Sequence, residues 1–243
     1  MCGRYSETHP IEKLQERFKA KNFPEDFRPR YNISPTQQVP VIVDHGERSI
    51  QLYRWGLIPS WAKDPAIGYK MINARGETIH EKPSFRRPFQ KSRCLVASDG
   101  FYEWKKEGKS KTPYRITLKS REPFAFAGVW DRWVDPEGKE INSFSIVTTS
   151  ASDLLKPIHD RMPVILKPED EEIWLDPDAK VDQLLKLIGP YPEAEMEAYS
   201  VSSIVNSARN ETPDCIVPFS ENIPPAPPSA KTYVLRPPTS PVN

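Results

Sequence analysis

The chain has 243 residues, of which 37% are hydrophobic, 10% aromatic and 28% charged. This composition builds a buried core and excludes a disordered chain, and the length allows one large domain or two small ones. The net charge of +1 hides an asymmetry: residues 1–112 hold 21 Lys+Arg against 13 Asp+Glu, a net of +8, and residues 113–243 hold 13 against 20, a net of −7. Such a split fits a polyanionic partner for the first half, and equally fits charges that mix again on folding.

Taken in chain order, the first helix is expected from about Thr8 to Ala20. Thr8 would cap it, Pro10 suits its first turn, and Ile11, Leu14 and Phe18 share a stripe. Strand signals follow at Val39–Asp44 and Ser49–Trp55, joined by His45-Gly46. Further short apolar runs lie at Cys94–Ala97, Tyr114–Leu118, Phe124–Val129, Ser143–Thr148 and Val164–Leu166. Late helices are expected after Pro168, carrying Ile173 and Trp174, and over Val181, Leu184, Leu185 and Ile188, stopped by Gly189-Pro190.

Pro, at 27 residues, is about twice its usual share and favours turns and short strands over long helices. This cadence predicts an α+β fold. It would be a single domain with a mixed, mostly antiparallel β-barrel-like core flanked by short helices. The domain is expected over 1–221, followed by a Pro-rich tail over 222–243 that is extended and without a catalytic role.

No apolar run approaches the roughly 20 residues of a membrane helix, and MCGRYSETHP lacks the apolar stretch of a signal peptide. Three cysteines (Cys2, Cys94 and Cys215) with no C-x-x-C pair predict a reducing, cytoplasmic setting, nucleoid-associated in a bacterium, without a structural disulfide. The four histidines are scattered, so neither a metal nor another cofactor is expected.

Cys2 carries the most information. If Met1 is removed, its α-amine is free beside its thiol, and both ionise not far above neutral pH. A 1,2-aminothiol condenses with an aldehyde: the amine forms an imine and sulfur closes a five-membered thiazolidine. An internal cysteine cannot do this, because its nitrogen is an amide. Position 2 alone reads first as that of an ordinary small residue behind a retained methionine.

Three other segments add to Cys2. An extended Asn73-Ala74-Arg75-Gly76-Glu77 puts Asn73, Arg75 and Glu77 on one face. Glu103 lies among Phe101, Tyr102 and Trp104, where desolvation raises a carboxyl toward proton-shuttle values. His159 and Arg161 share a face if extended, pairing an imidazole with a phosphate-seeking guanidinium. Singly, each has a plain structural alternative: Asn73 holding a turn, Glu103 paired with Arg75, His159 a satisfied core histidine.

In order along the chain, MCGRY (1–5), RYNISP (30–35), WGLIPSWA (55–62), INARGET (72–78), GFYEW (100–104), TTSA (148–151) and HDRMP (159–163) resemble the SOS response-associated peptidase (SRAP) family. VNSARN (205–210) fits the family's C-terminal pattern. The members of this family look after abasic sites in single-stranded DNA.

The resemblance implies that Cys2, freed by self-removal of Met1, joins the abasic sugar through Schiff-base, lyase-type chemistry. It implies that Asn73 positions the sugar, Glu103 is the acid/base and His159 assists proton transfer. Arg4, Arg75 and Arg161 are implied as phosphate contacts, with Asn32 also at the DNA. Trp61, with Pro35 and Trp104, could stack on neighbouring bases. The implied partner is single-stranded DNA containing abasic sites, with no membrane and no metal; protein partners are unspecified. Two other functions stay open: a cysteine peptidase acting on other proteins, and a non-catalytic single-strand binding module.

Overall fold

The short strands expected from the Pro-rich cadence form in number. They are β1 (Tyr5–Glu7), β2 (Arg30–Ile33), β3 (Gln38–Asp44), β4 (Arg48–Trp55), β5 (Asn73–Arg75), β6 (Arg93–Ser98) and β7 (Gly100–Glu107). Then come β8 (Ser110–Leu118), β9 (Phe124–Val134), β10 (Glu140–Ser150), β11 (Arg161–Pro163), β12 (Ile165–Leu166) and β13 (Met196–Ser200). The helices are α1 (Ile11–Phe18), α2 (Pro83–Lys91), α3 (Glu171–Leu175) and α4 (Val181–Lys186). This computed structural model describes residues 2–25 and 27–219. Met1 and the tail assigned to 222–243 lie outside them.

The strands make a closed ring. β10 pairs with β4, β4 with β3, β3 with β6, β6 with β9, and β9 returns to β10. Only the β10–β4 junction in this ring is parallel. Closure leaves no unpaired edge within the ring. A second sheet, in the order β13-β8-β7-β1-β2, packs with the ring around one core. The expected α+β single domain with a barrel-like, mostly antiparallel core is the fold observed.

Alternation along each strand divides the apolar residues between two clusters. Val41, Val96, Phe126, Phe144 and Ile146 face the core shared with the second sheet, which supplies Tyr5, Phe101 and Ile116. Their in-between neighbours Ile42, Leu95, Ala127 and Val147 face outward, beneath Leu14 and Phe18 of α1, Phe89 of α2, Trp174 of α3 and Leu184 of α4.

Helix boundaries are where the sequence reading departs most from the structure. α1 starts at Ile11 behind Pro10, not at a Thr8 cap. The Thr8 hydroxyl and N–H are both taken by Asp99, so a tertiary carboxylate outcompetes the local cap. α2 was not anticipated: it holds Pro88 inside nine residues and presents Pro88 and Phe89 to the core. The segment after Pro168 begins as a 3₁₀ turn and becomes α-helical only at Glu171.

β1 is only three residues long, yet it carries the chain's beginning into the core. The Tyr5 ring packs against Trp55 at 5.2 Å and Phe126 at 5.8 Å, both edge-on. Beyond it, Asp99 pairs with Arg115 at 2.9 Å, with side chains 7% and 5% exposed. Asp99 also accepts from the Ser6 hydroxyl at 2.6 Å and the Thr8 N–H at 3.2 Å. This buried pair and its hydrogen bonds hold β1 in place beside β7.

Breaking a buried pair leaves one charge uncompensated, which costs about 3–5 kcal/mol. Arg115→Leu is therefore expected to lower stability by that amount and Tm by roughly 6–20 °C. Denaturant and thermal unfolding check this; wild-type stability in Arg115→Leu would show the pair to be dispensable.

Candidate active site

Strand register places the first residues of the chain. β1 runs antiparallel to β7 with Tyr5 opposite Phe101, and the Tyr102 N–H donates to the Arg4 carbonyl at 2.9 Å. Continued by two residues, that register sets Glu103 opposite Gly3, beside Cys2. Cys2 is completely buried. Burial and the charge of Glu103 both push its thiol pKa up, so the sulfur rests as a neutral thiol.

Glu103 is 3% exposed, and burial pushes its carboxyl up to about 8. The desolvation anticipated from Phe101-Tyr102-Glu103-Trp104 is therefore present. Its observed neighbour is His159: Nε2 lies 4.0 Å from Glu103 Oε2. His159 sits in the connection between the 153–158 turn and β11 rather than on a strand face with Arg161.

The His159 Nδ1 is 3.0 Å from the Arg161 N–H and 2.8 Å from Asp160 Oδ1. One nitrogen cannot accept from the amide and donate to the carboxylate at once. Burial lowers the imidazole pKa. That favours the neutral ring, with Nδ1 accepting from the amide and the proton on Nε2, facing Glu103.

Asn73 arrives from the opposite side on β5, which runs parallel to β10 with Asn73 opposite Ile146. Its Nδ2 donates to the Cys2 carbonyl at 2.7 Å. Its Oδ1 is buried and accepts no hydrogen bond among the described residues. The loop leading to β5 is shaped by two glycines. A Cβ on Gly56 would sit 2.6 Å from the Gly68 carbonyl oxygen, and one on Gly68 would sit 2.8 Å from that of Gly56. Trp133 Nε1 donating to the Ala62 carbonyl at 2.7 Å pins the same loop. Trp61 is left 59% exposed on it.

The remaining expected residues differ in setting. Arg75 is exposed on β5, and Pro35 is half-buried. Arg4 and Trp104 lie together, the guanidinium 5.9 Å from the ring centroid. Asn32 is fully buried: its Oδ1 accepts from Arg4 at 2.7 Å and its Nδ2 donates to the carbonyls of Ser207 and Asn210. Its side chain thus ties Arg4 to the 205–210 segment.

Arg161 makes a two-pronged pair with Glu77, both N–O distances 2.9 Å, and also donates to the Thr148 carbonyl at 2.8 Å. Glu77 therefore belongs to the site, although the extended face expected to carry it ends at Arg75, where a 3₁₀ turn begins. Thr148 is a further member, and its only sequence signal was the TTSA segment.

A buried thiol, a raised carboxyl, an imidazole and a carbonyl-holding carboxamide thus meet on a closed β-barrel scaffold. The family model for SOS response associated peptidase (SRAP) matches residues 1–208, and the chain belongs to that family. Abasic site processing protein YoqW of Bacillus subtilis (strain 168) is 48% identical over 221 residues, covering 89% of this chain and 99% of the relative. Abasic site processing protein HMCES of Gallus gallus is 36% identical over 233 residues, covering 82% and 68%. A crystal structure of a Bacteroides thetaiotaomicron protein superposes with a TM-score of 0.83 at 32% identity, over 90% of this chain and 100% of that one.

Because Glu103 is raised above the ordinary carboxylate range, it binds its proton more tightly folded than unfolded. Its contribution to stability is full below that range and is lost as pH rises through about 8. Glu7, which burial pushes up to about 7, acts in the same sense, so the wild type alone does not isolate Glu103. The difference in stability between Glu103→Gln and wild type is expected to grow in the variant's favour with pH, by at most about 1.4 kcal/mol per unit, and to level off above about 8. Urea unfolding at a series of pH values measures it; a pH-independent difference would place the Glu103 proton elsewhere.

Proposed function

We propose that this protein recognises abasic sites in single-stranded DNA. It traps them through Cys2, after removal of Met1, as a thiazolidine that shields the lesion from strand cleavage. The observation that carries the reading is the placement of the chain's second residue. Cys2 is fully buried beside a carboxyl raised to about 8, with its carbonyl held by Asn73 at 2.7 Å. Membership of the SRAP family and the names of YoqW and HMCES point the same way.

The chemistry follows from the protonation states. Glu103, largely protonated near neutral pH, supplies and takes up the proton that opens the sugar hemiacetal to its aldehyde. The Cys2 amine attacks the aldehyde carbon, and loss of water leaves a C=N bond. The thiol then adds across it: sulfur bonds to carbon, and the sulfur's proton ends on nitrogen by way of Glu103 or His159. The ring carbon is now tetrahedral, so the imine that would promote β-elimination of the strand is gone.

A neutral thiol suits this order, because sulfur waits until the imine exists. A peptidase acting on other proteins needs a thiolate ready for attack, and the surroundings of Cys2 oppose one. In this reading the peptidase activity is release of Met1. Arg75 and Arg4 meet phosphates, Asn32 holds Arg4 in place, and Trp61, Pro35 and Trp104 meet neighbouring bases. Arg161 reaches a phosphate by exchanging the half-exposed Glu77 for it, since both anions fit the same fork.

Incubated with abasic single-stranded DNA, wild type is expected to give a band on a denaturing gel that survives heating, with intact mass lacking Met1. Cys2→Ser is expected to give only an adduct that borohydride must fix. A Cys2→Ser adduct as durable as wild type's, or full activity with Met1 retained, would sink the ring mechanism.

Glu77→Gln is expected to free Arg161 for DNA. Affinity should then rise at every salt concentration while the slope of log affinity against log salt stays that of wild type, because the phosphate contact is the same and only the cost of giving up Glu77 is gone. Anisotropy titrations read both; an unchanged affinity would make the pair purely structural.

A further inference from the structure

The hairpin formed by β7 and β8 continues past the site. Beyond Glu103 the register is Trp104 opposite Pro113, Lys105 opposite Thr112, Lys106 opposite Lys111 and Glu107 opposite Ser110, with Gly108 (φ +62°) and Lys109 in the turn. The turn closes on its own terms: the Ser110 hydroxyl donates to the Glu107 carbonyl at 2.8 Å. Nothing in the hairpin's folding calls for lysines.

Lys106, Lys109 and Lys111 are exposed, and none of them has an ion-pair partner among the described residues. Lys105, by contrast, pairs with Glu107 at 2.7 Å. Like charges directly opposite across a ladder destabilise it, and Lys106 and Lys111 are such a pair. Strand alternation puts Lys106 on the face of Trp104, the ring that carries Arg4. Arg4, Trp104 and the Lys106–Lys111 pair thus form one stripe leading outward along β7, on the face of the strand opposite to Glu103. At about 3.3 Å per residue, Lys106 stands roughly 10 Å along the strand from Glu103.

We propose that the β7–β8 hairpin is a phosphate-binding arm, in which Lys106, Lys109 and Lys111 hold the DNA strand on one side of the abasic sugar. The side matters: the stripe leaves the site in a single direction, so the other flank of the strand does not meet it. The inference rests on the reading of the site as an abasic-DNA trap, and it adds which flank-binding element the chain supplies.

The test uses full-length protein and a fluorescent, undamaged single-stranded oligonucleotide titrated between about 50 and 200 mM salt. In the variant with Lys106→Gln, Lys109→Gln and Lys111→Gln, the slope of log affinity against log salt is expected to fall by about 2, at about 0.7 per lost contact. Arginine at all three positions is expected to keep the wild-type slope. The glutamine variant's Tm should be no lower than wild type's, since an unfavourable like-charge pair is removed. A wild-type slope in the folded glutamine variant overturns the proposal.

Adduct formation on abasic oligonucleotides shortened from the 5′ or the 3′ side then tests sidedness. Shortening one side should erase the difference between wild type and the glutamine variant, and shortening the other should leave it. Equal effects from both sides, or none from either, overturn the one-sided arm. Failure of wild type to trap abasic DNA at all would instead refute the function proposed for the site, leaving the salt slopes to judge the hairpin.

Discussion

The buried Asp99–Arg115 pair is the constraint on which the rest depends. β1 is too short to be stable by its own ladder hydrogen bonds, and a free chain beginning costs conformational entropy to order. Asp99 answers both by gathering Ser6, Thr8 and Arg115 at the far end of β1. Tyr5 does the same from inside, wedged between Trp55 and Phe126. With β1 fixed at both points, Cys2 is set beside Glu103 and beneath Asn73.

The electrostatics of the site follow from this depth. Glu103 lies on a strand whose neighbours are ring carbons and the buried Cys2, so its charged form is the costly one. Cys2, next to that carboxyl, is discouraged from ionising twice over, by burial and by like charge. His159 is lowered by burial too. Thiol, carboxyl and imidazole are therefore all biased toward neutral forms. A set of neutral groups can pass protons along without first separating charge in an apolar surrounding.

Much of this was legible in the sequence, and the reasons differ by element. The strands of the ring could be read because each alternates between two apolar surroundings, so Val41 and Ile42 announce a strand buried on both faces. The raised carboxyl was legible because Glu103 is bracketed by aromatics. The start of α1 was misread because Thr8 has a stronger acceptor far away in sequence, in Asp99. α2 was missed because Pro88 interrupts the pattern of apolar spacing. Asn32 in RYNISP is expected at the DNA, yet its observed partners lie near residue 205, beyond the reach of local reasoning. The hairpin lysines were visible in KKEGKSK, but their opposition across the ladder needed the register.

β10 exchanges its neighbours partway along. Up to Ile146 it is flanked by β9 and, over Ser143 and Phe144, by β4; from Ile146 to Ser150 it is flanked by β5 and β11. The new flanks bring Asn73 on one hand and the run from His159 to Arg161 on the other. The spacing between those two walls is therefore dictated by main-chain pairing to a common strand. Side chains on the two walls can thus change without altering that spacing, which belongs to the backbone alone.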